Sequence, residues 1–160
     1  MNTRDLTDTL ATLLGELVDG PRGEAYMLNS GDPGLLQSLD KVTAADASAS
    51  VAGGASLAAH VDHLRYGLWL MNRWSAGENP FDAADWSASW RTASVSEGEW
   101  AQLKTGLDNE AHRWRDALRK PVEVTATELN WIIASIAHLA YHLGAIRQMH
   151  RAARGPAERS

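Results

Sequence analysis

From Trp131 to Ile146 the chain reads WIIASIAHLAYHLGAI, without one formally charged residue. Leu129, Ile132, Ile133, Ile136, Leu139, Ala140 and Leu143 recur at the spacing of one helical face. The opposite face holds Trp131, Ala134, Ala145 and Met149 and is apolar too. A helix that is apolar all round is covered on more than one side. This segment therefore predicts a core helix with other elements packed around it.

The rest of the chain supplies those elements. Leu6, Leu10, Leu13, Leu14 and Leu17 form one helical stripe that stops at Gly20-Pro21. Asp32-Pro33 reads as an N-cap with proline at the first helical position. Leu35, Leu36, Leu39 and Val42 then predict a short helix or an irregular packed segment. TAADASASVAGGAS is small and polar and reads as a loop. Ser56 can cap a helix with the stripe Leu57, Val61, Leu64, Leu68 and Met71, ending near Trp74. FDAADWSASWRTASV has no clear period and reads as a loop with a short helical turn.

Ser96 and Glu99 have the spacing of a capping box, and Trp100, Leu103, Leu107, Ala111, Trp114 and Leu118 follow as a stripe that ends at Pro121. Thr125 and Glu128 repeat the box and open the last helix, which is expected to run to about Arg151. There is no strand alternation and no internal repeat. The expected fold is all-α: a four-helix bundle with a short extra helix or irregular insert. One domain is expected over residues 1–153, with 154–160 as a flexible tail.

Composition excludes several function classes. Net charge is −5, from 15 Lys+Arg against 20 Asp+Glu, which argues against a nucleic-acid partner. The chain has 0 cysteines, so disulfides, thiolate zinc sites and a cysteine nucleophile are ruled out. No unbroken apolar run reaches the roughly 18 residues that span a bilayer. The opening MNTRDLTDTL has no signal-peptide pattern. The expectation is a cytoplasmic protein with no membrane partner. Its 7 tryptophans are many for this length, and Trp usually lines cores, interfaces or pockets.

Two of the 6 histidines, His138 and His142, stand four residues apart inside the uncharged helix. In so poorly hydrated a setting each needs a partner. The i,i+4 spacing stacks them on one face, where they can grip one ion or rest as core histidines satisfied by hydrogen bonds. A third ligand can come from His60 or His63. At roughly 100° per residue, His60 lies about 60° from the centre of its helix's apolar stripe, on the side of Gly67, and His63 about 120°. His60 is thus the better inward-pointing ligand, and His63 is its substitute or a residue of the rim. His112, four residues after Asp108, reads as half of a solvent-facing pair, and His150 receives no role.

Known metal architectures narrow the choice. HLAYH is not HExxH, because no glutamate separates the histidines. No Glu is followed by His at i+3, so the pair of di-iron bundles is absent. There is no phosphate loop and no G-x-S-x-G elbow. What remains is a mononuclear site with imidazole ligands, which suit Zn, Ni, Cu or Fe(II).

SLAAHVDHL and HLAYHLGAIRQ resemble the DinB-like family of bacterial four-helix bundles, which includes YfiT-like metal-dependent hydrolases and low-molecular-weight-thiol-dependent transferases. DWSASW and GLLQSLDKVTAADAS look similar to this family as well. Position by position, the resemblance implies a divalent metal, Zn or Ni first, on His60, His138 and His142. It implies the site and not the substrate.

Three histidines leave coordination positions open, as catalytic sites do. Such a site could activate water in a hydrolase, or a small thiol in a transferase, for a small-molecule substrate. The thiol would come from a cofactor, since the chain has no cysteine. No general base is identified: Tyr141 offers only a phenol, a poor base, Asp62 points away, and Asp85 has no support. The competing class is a non-catalytic, stress-related binding protein with structural histidines. In either class the Trp content and doubly apolar last helix predict a homodimer.

Overall fold

The computed structural model describes residues 3–120, 123–150 and 153, and every regular element in it is a helix. These are α1 (Thr3–Asp19), α2 (Leu35–Leu39), α3 (Ala44–Ser48), α4 (Leu57–Ser75), a 3₁₀ turn (Ser89–Arg91), α5 (Glu97–Leu118) and α6 (Ala126–Met149). Among the described residues no strand forms, and only an isolated bridge joins Ser50 to Ser56. Pro121, Arg151 and the expected tail 154–160 lie outside the described residues.

Local signals set the helix starts. The Ser96 and Thr125 hydroxyls accept the amides of Glu99 and Glu128, whose carboxylates return the bond. Ser56 accepts the Ala59 amide at the head of α4. At its other end α1 stops at Gly20, whose φ of 92° is the left-handed conformation that ends helices.

Two expectations need correction. The stretch read as a loop contains α3, opened by a capping box of Thr43 and Asp46. Its short acidic partner and lack of a long apolar stripe hid it. Asp32 caps nothing: α2 begins after Gly34, and Asp32 instead meets Arg147 of α6, Nη1 to Oδ2, at 3.2 Å.

The four long helices touch in the cyclic order α1, α5, α4, α6 and back to α1. Leu14, Leu17, Leu57, Leu107, Leu139, Leu143 and Ile146 fill the space between them, and α2 and α3 close one end with Leu35, Leu39 and Ala47. Each such Leu or Ile contributes about 1.5–3 kcal/mol on burial. The two fully buried tryptophans keep their indole N–H groups bonded, Trp100 to the Val42 carbonyl at 2.7 Å and Trp114 to Ser135 Oγ at 3.0 Å.

Among the described residues α6 alone is long and apolar enough on average to cross a bilayer, although its histidines interrupt the apolar run. Here Ile132, Ile136, Leu139, Leu143 and Ile146 of that helix belong to the core, and α6 rests on α4 and α1.

Candidate metal centre

α4 and α6 bring four imidazoles together: His60 and His63 from the first, His138 and His142 from the second. Nε2 of His138 stands 3.2 Å from Nε2 of His63 and 2.9 Å from Nε2 of His142. One ring nitrogen from each of these three lies within 4.8 Å of the other two. His60 meets the group from behind, its Nδ1 2.8 Å from Nδ1 of His142.

The outer nitrogens determine what the inner ones offer. Ser89 Oγ is 3.0 Å from Nδ1 of His63 and 3.3 Å from the Trp86 carbonyl oxygen. A carbonyl only accepts, so the hydroxyl gives its hydrogen to Trp86 and receives one from His63 Nδ1–H. Nε2 of a neutral His63 is then a bare lone pair. If His142 donates Nδ1–H to His60, its Nε2 is bare as well; if it accepts instead, its Nε2–H takes the one lone pair of His138 and His63 Nε2 is still unmatched.

His138 Nε2 faces both of these nitrogens and carries at most one hydrogen, which cannot satisfy two lone pairs. A cation held between the three nitrogens satisfies all of them. A tetrahedral zinc about 2.05 Å from each imidazole needs nitrogens roughly 3.3 Å apart, near the two spacings above. The three-histidine cluster can thus hold a metal ion.

Burial lowers the pKa of all four histidines. For His63 it falls to about 4 and for His142 to about 3, because the neighbouring imidazoles add like-charge repulsion to the loss of solvation. At neutral pH the rings are uncharged, which is the form that binds metals.

The 3₁₀ turn roofs this cluster. Trp90 stacks on His63, with centroids 4.4 Å apart and planes 29° apart, and meets His60 edge-on at 5.2 Å. Beside the roof, His63 and His138 wall one end of a cavity of about 560 Å³ between α4 and α6. Its other walls include Gly67, Leu68, Met71, Phe81, Trp86 and Trp131.

The expected ligand group was His60, His138 and His142, with His63 at the rim. The nitrogens that converge belong to His63, His138 and His142, and His60 reaches them only through His142. The apolar stripe misdirects because α4 packs against α5, α6, α3 and the 3₁₀ turn together, so its buried arc is wide. The centre of the stripe averages over several neighbours. The α4 flank that carries His63 and Gly67 looks toward α6. His63 is 7% exposed, because Ser89 and Trp90 cover the side that the sequence leaves open. DWSASW held that signal: it is the loop that brings Trp86, Ser89 and Trp90 to the histidines.

The other candidates do not join the converging nitrogens. Tyr141 is 69% exposed, with its ring edge-on to His142 on the outer side of α6. The Asp85 carboxylate, also exposed, is bonded to Ser87 and Arg91. Asp62 turns away, as expected, toward Arg65 and Thr92. His112 is not solely a solvent-facing partner of Asp108: its Nε2 also lies 2.8 Å from Asp19 of α1. His150 pairs with Asp46 at 3.3 Å.

No protein-family model, curated protein or solved structure matches this chain.

Proposed function

We propose that this chain is a four-helix bundle of the DinB-like kind with a mononuclear divalent-metal centre on His63, His138 and His142. The observation that carries the reading is the convergence of three imidazole nitrogens that no arrangement of their own hydrogens satisfies. Zinc or nickel suits three neutral nitrogens in a buried setting. When bound, the ion would supply Lewis acidity that stabilises an anionic oxygen or sulfur at neutral pH. His60 and Ser89 would hold two of the ligand rings in the tautomer that presents Nε2.

Three ligands and an adjoining cavity favour catalysis over a structural role. The reaction proposed is metal-dependent hydrolysis, or transfer to a small thiol, on a small molecule seated against His63 and His138. Metal analysis of untagged protein tests the centre. About one equivalent of Zn or Ni per chain, lost in His138→Ala with the fold retained, supports it. Negligible metal in folded protein removes it and favours structural histidines.

Homodimerisation is the second proposal. Ile133, Ala137 and Tyr141 leave an apolar side of α6 exposed, which a second copy would cover. Light scattering at micromolar concentration that gives the monomer mass would remove it.

A further inference from the structure

The cavity beside the histidines has an unusual chemistry for a catalytic pocket. Among the described residues, neither cation nor carboxylate lines it. Its polar groups are the imidazoles of His63 and His138 at one end, the Ser135 hydroxyl and the indole N–H groups of Trp86 and Trp131. Ser135 is already engaged, accepting from the Trp114 indole at 3.0 Å and donating to the Ile132 carbonyl at 2.7 Å. Every remaining wall is hydrocarbon, aromatic ring or glycine. Away from the histidine end, a ligand carboxylate, phosphate or ammonium would be desolvated with no opposite charge to pair it, at a cost of several kcal/mol.

Size sets the second limit. Cavities on the order of 150 Å³ lined by apolar side chains hold benzene. At about 560 Å³ this one has room for two or three rings or a branched chain. Gly67 makes part of that room: a Cβ there would come within 3.6 Å of the Trp86 ring, and any longer side chain would enter the cavity. Trp86 and Trp131 are 42% and 40% exposed, which leaves an aromatic mouth through which an apolar group can pass.

A second cavity, where α5 ends and α6 begins, is the natural control. It has nearly the same volume, about 590 Å³, but Glu78, Lys120, Glu123 and Glu128 stand among its lining residues. The absence of charge is therefore particular to the histidine side.

We infer that this cavity binds an uncharged, apolar group of two- or three-ring size, with the polar, reactive end of the same molecule at His63 and His138. The assignment of a reactive end rests on the metal centre proposed above; the ligand class rests on the cavity alone.

Two probes with the same ring system test it. N-phenyl-1-naphthylamine is neutral, and 8-anilino-1-naphthalenesulfonate adds one anionic group. Fluorescence titration of metal-free protein is expected to give one site per chain, at least tenfold tighter for the neutral probe. Gly67→Leu and, independently, Ala134→Trp are expected to weaken it at least tenfold. Ala134 is an exposed residue of the rim, so the second variant keeps the test valid should the first fail to fold. Equal or tighter binding of the sulfonate, absence of binding, or binding that survives both variants overturns the inference. Metal uptake is measured on the same preparations. Selective neutral-probe binding in protein that takes up no metal supports the ligand class and removes the metal centre; metal uptake without probe binding does the reverse.

Discussion

Ser89 Oγ lies 3.0 Å from Nδ1 of His63, across 26 positions of sequence. The hydroxyl is buried and spends its one hydrogen on the Trp86 carbonyl, so it fixes both the angle of the imidazole and the nitrogen that carries its proton. Ser89→Ala removes that acceptor. Metal affinity is expected to fall about 10–100-fold, and the buried N–H left behind to lower stability by about 1–3 kcal/mol. Competition with a chelator, together with urea unfolding, measures both. Unchanged affinity would show that the contact does not orient the ring.

His60 and His63 are expected to separate sharply. Loss of His63 takes away one of three converging nitrogens, so His63→Ala should abolish stoichiometric metal. Loss of His60 frees only the outer nitrogen of His142, so His60→Ala should retain metal with affinity about 10–100-fold weaker. Metal titration of the two folded variants under the same conditions decides. The opposite ranking would return His60 to the ligand set.

Stability of the metal-free protein should depend on pH with a definite sign. The folded pKa of His63, about 4, and of His142, about 3, lies below the unfolded value of 6.5. Between those limits the unfolded chain binds protons that the folded protein refuses, so stability rises with pH. The contribution is complete above about pH 6.5 and is lost as pH falls toward 4 and below. Urea midpoints at about pH 7.5, 6 and 4.5 should fall in that order, more shallowly in a His63→Gln/His142→Gln variant. A midpoint that holds steady on acidification would contradict neutral burial of these rings.

Asp32 and Arg147 tie the segment before α2 to the end of α6. Their side chains are 3% and 15% exposed, and Arg147 also donates to the Pro33 carbonyl at 2.6 Å. Asp32→Ala leaves a buried guanidinium without its counter-charge and is expected to cost about 3–5 kcal/mol. Adding Arg147→Met should recover much of that loss. A double variant no better than the single one would locate the cost elsewhere.

How much of this could be read from the residues differs from element to element. α1, α4, α5 and α6 could, because each repeats apolar residues along its length and three of them begin at a Ser or Thr cap. α3 could not, since five residues are too few to show a period. His138 and His142 could be paired because the i,i+4 spacing is local. The rank of His60 and His63 could not, because it depends on where α6 and the Ser89–Arg91 turn lie around α4. That is a property of tertiary contacts between segments more than 20 residues apart. Asp32 shows the same limit: its proline neighbour suggests a cap, while its actual partner is 115 positions away.

The hydroxyl caps of α4 and α6 have a further effect on the histidines. Each cap fixes the residue at which its helix begins, and helical geometry then fixes the azimuth of every later side chain. Sliding α4 by one residue relative to α6 would turn His63 by about 100° and carry it away from His138. Ser56 and Thr125, whose hydroxyls bond none of the imidazoles, thus act as register locks for the α4–α6 seam. A frayed or restarted helix at either point would misalign the four rings even with every histidine intact.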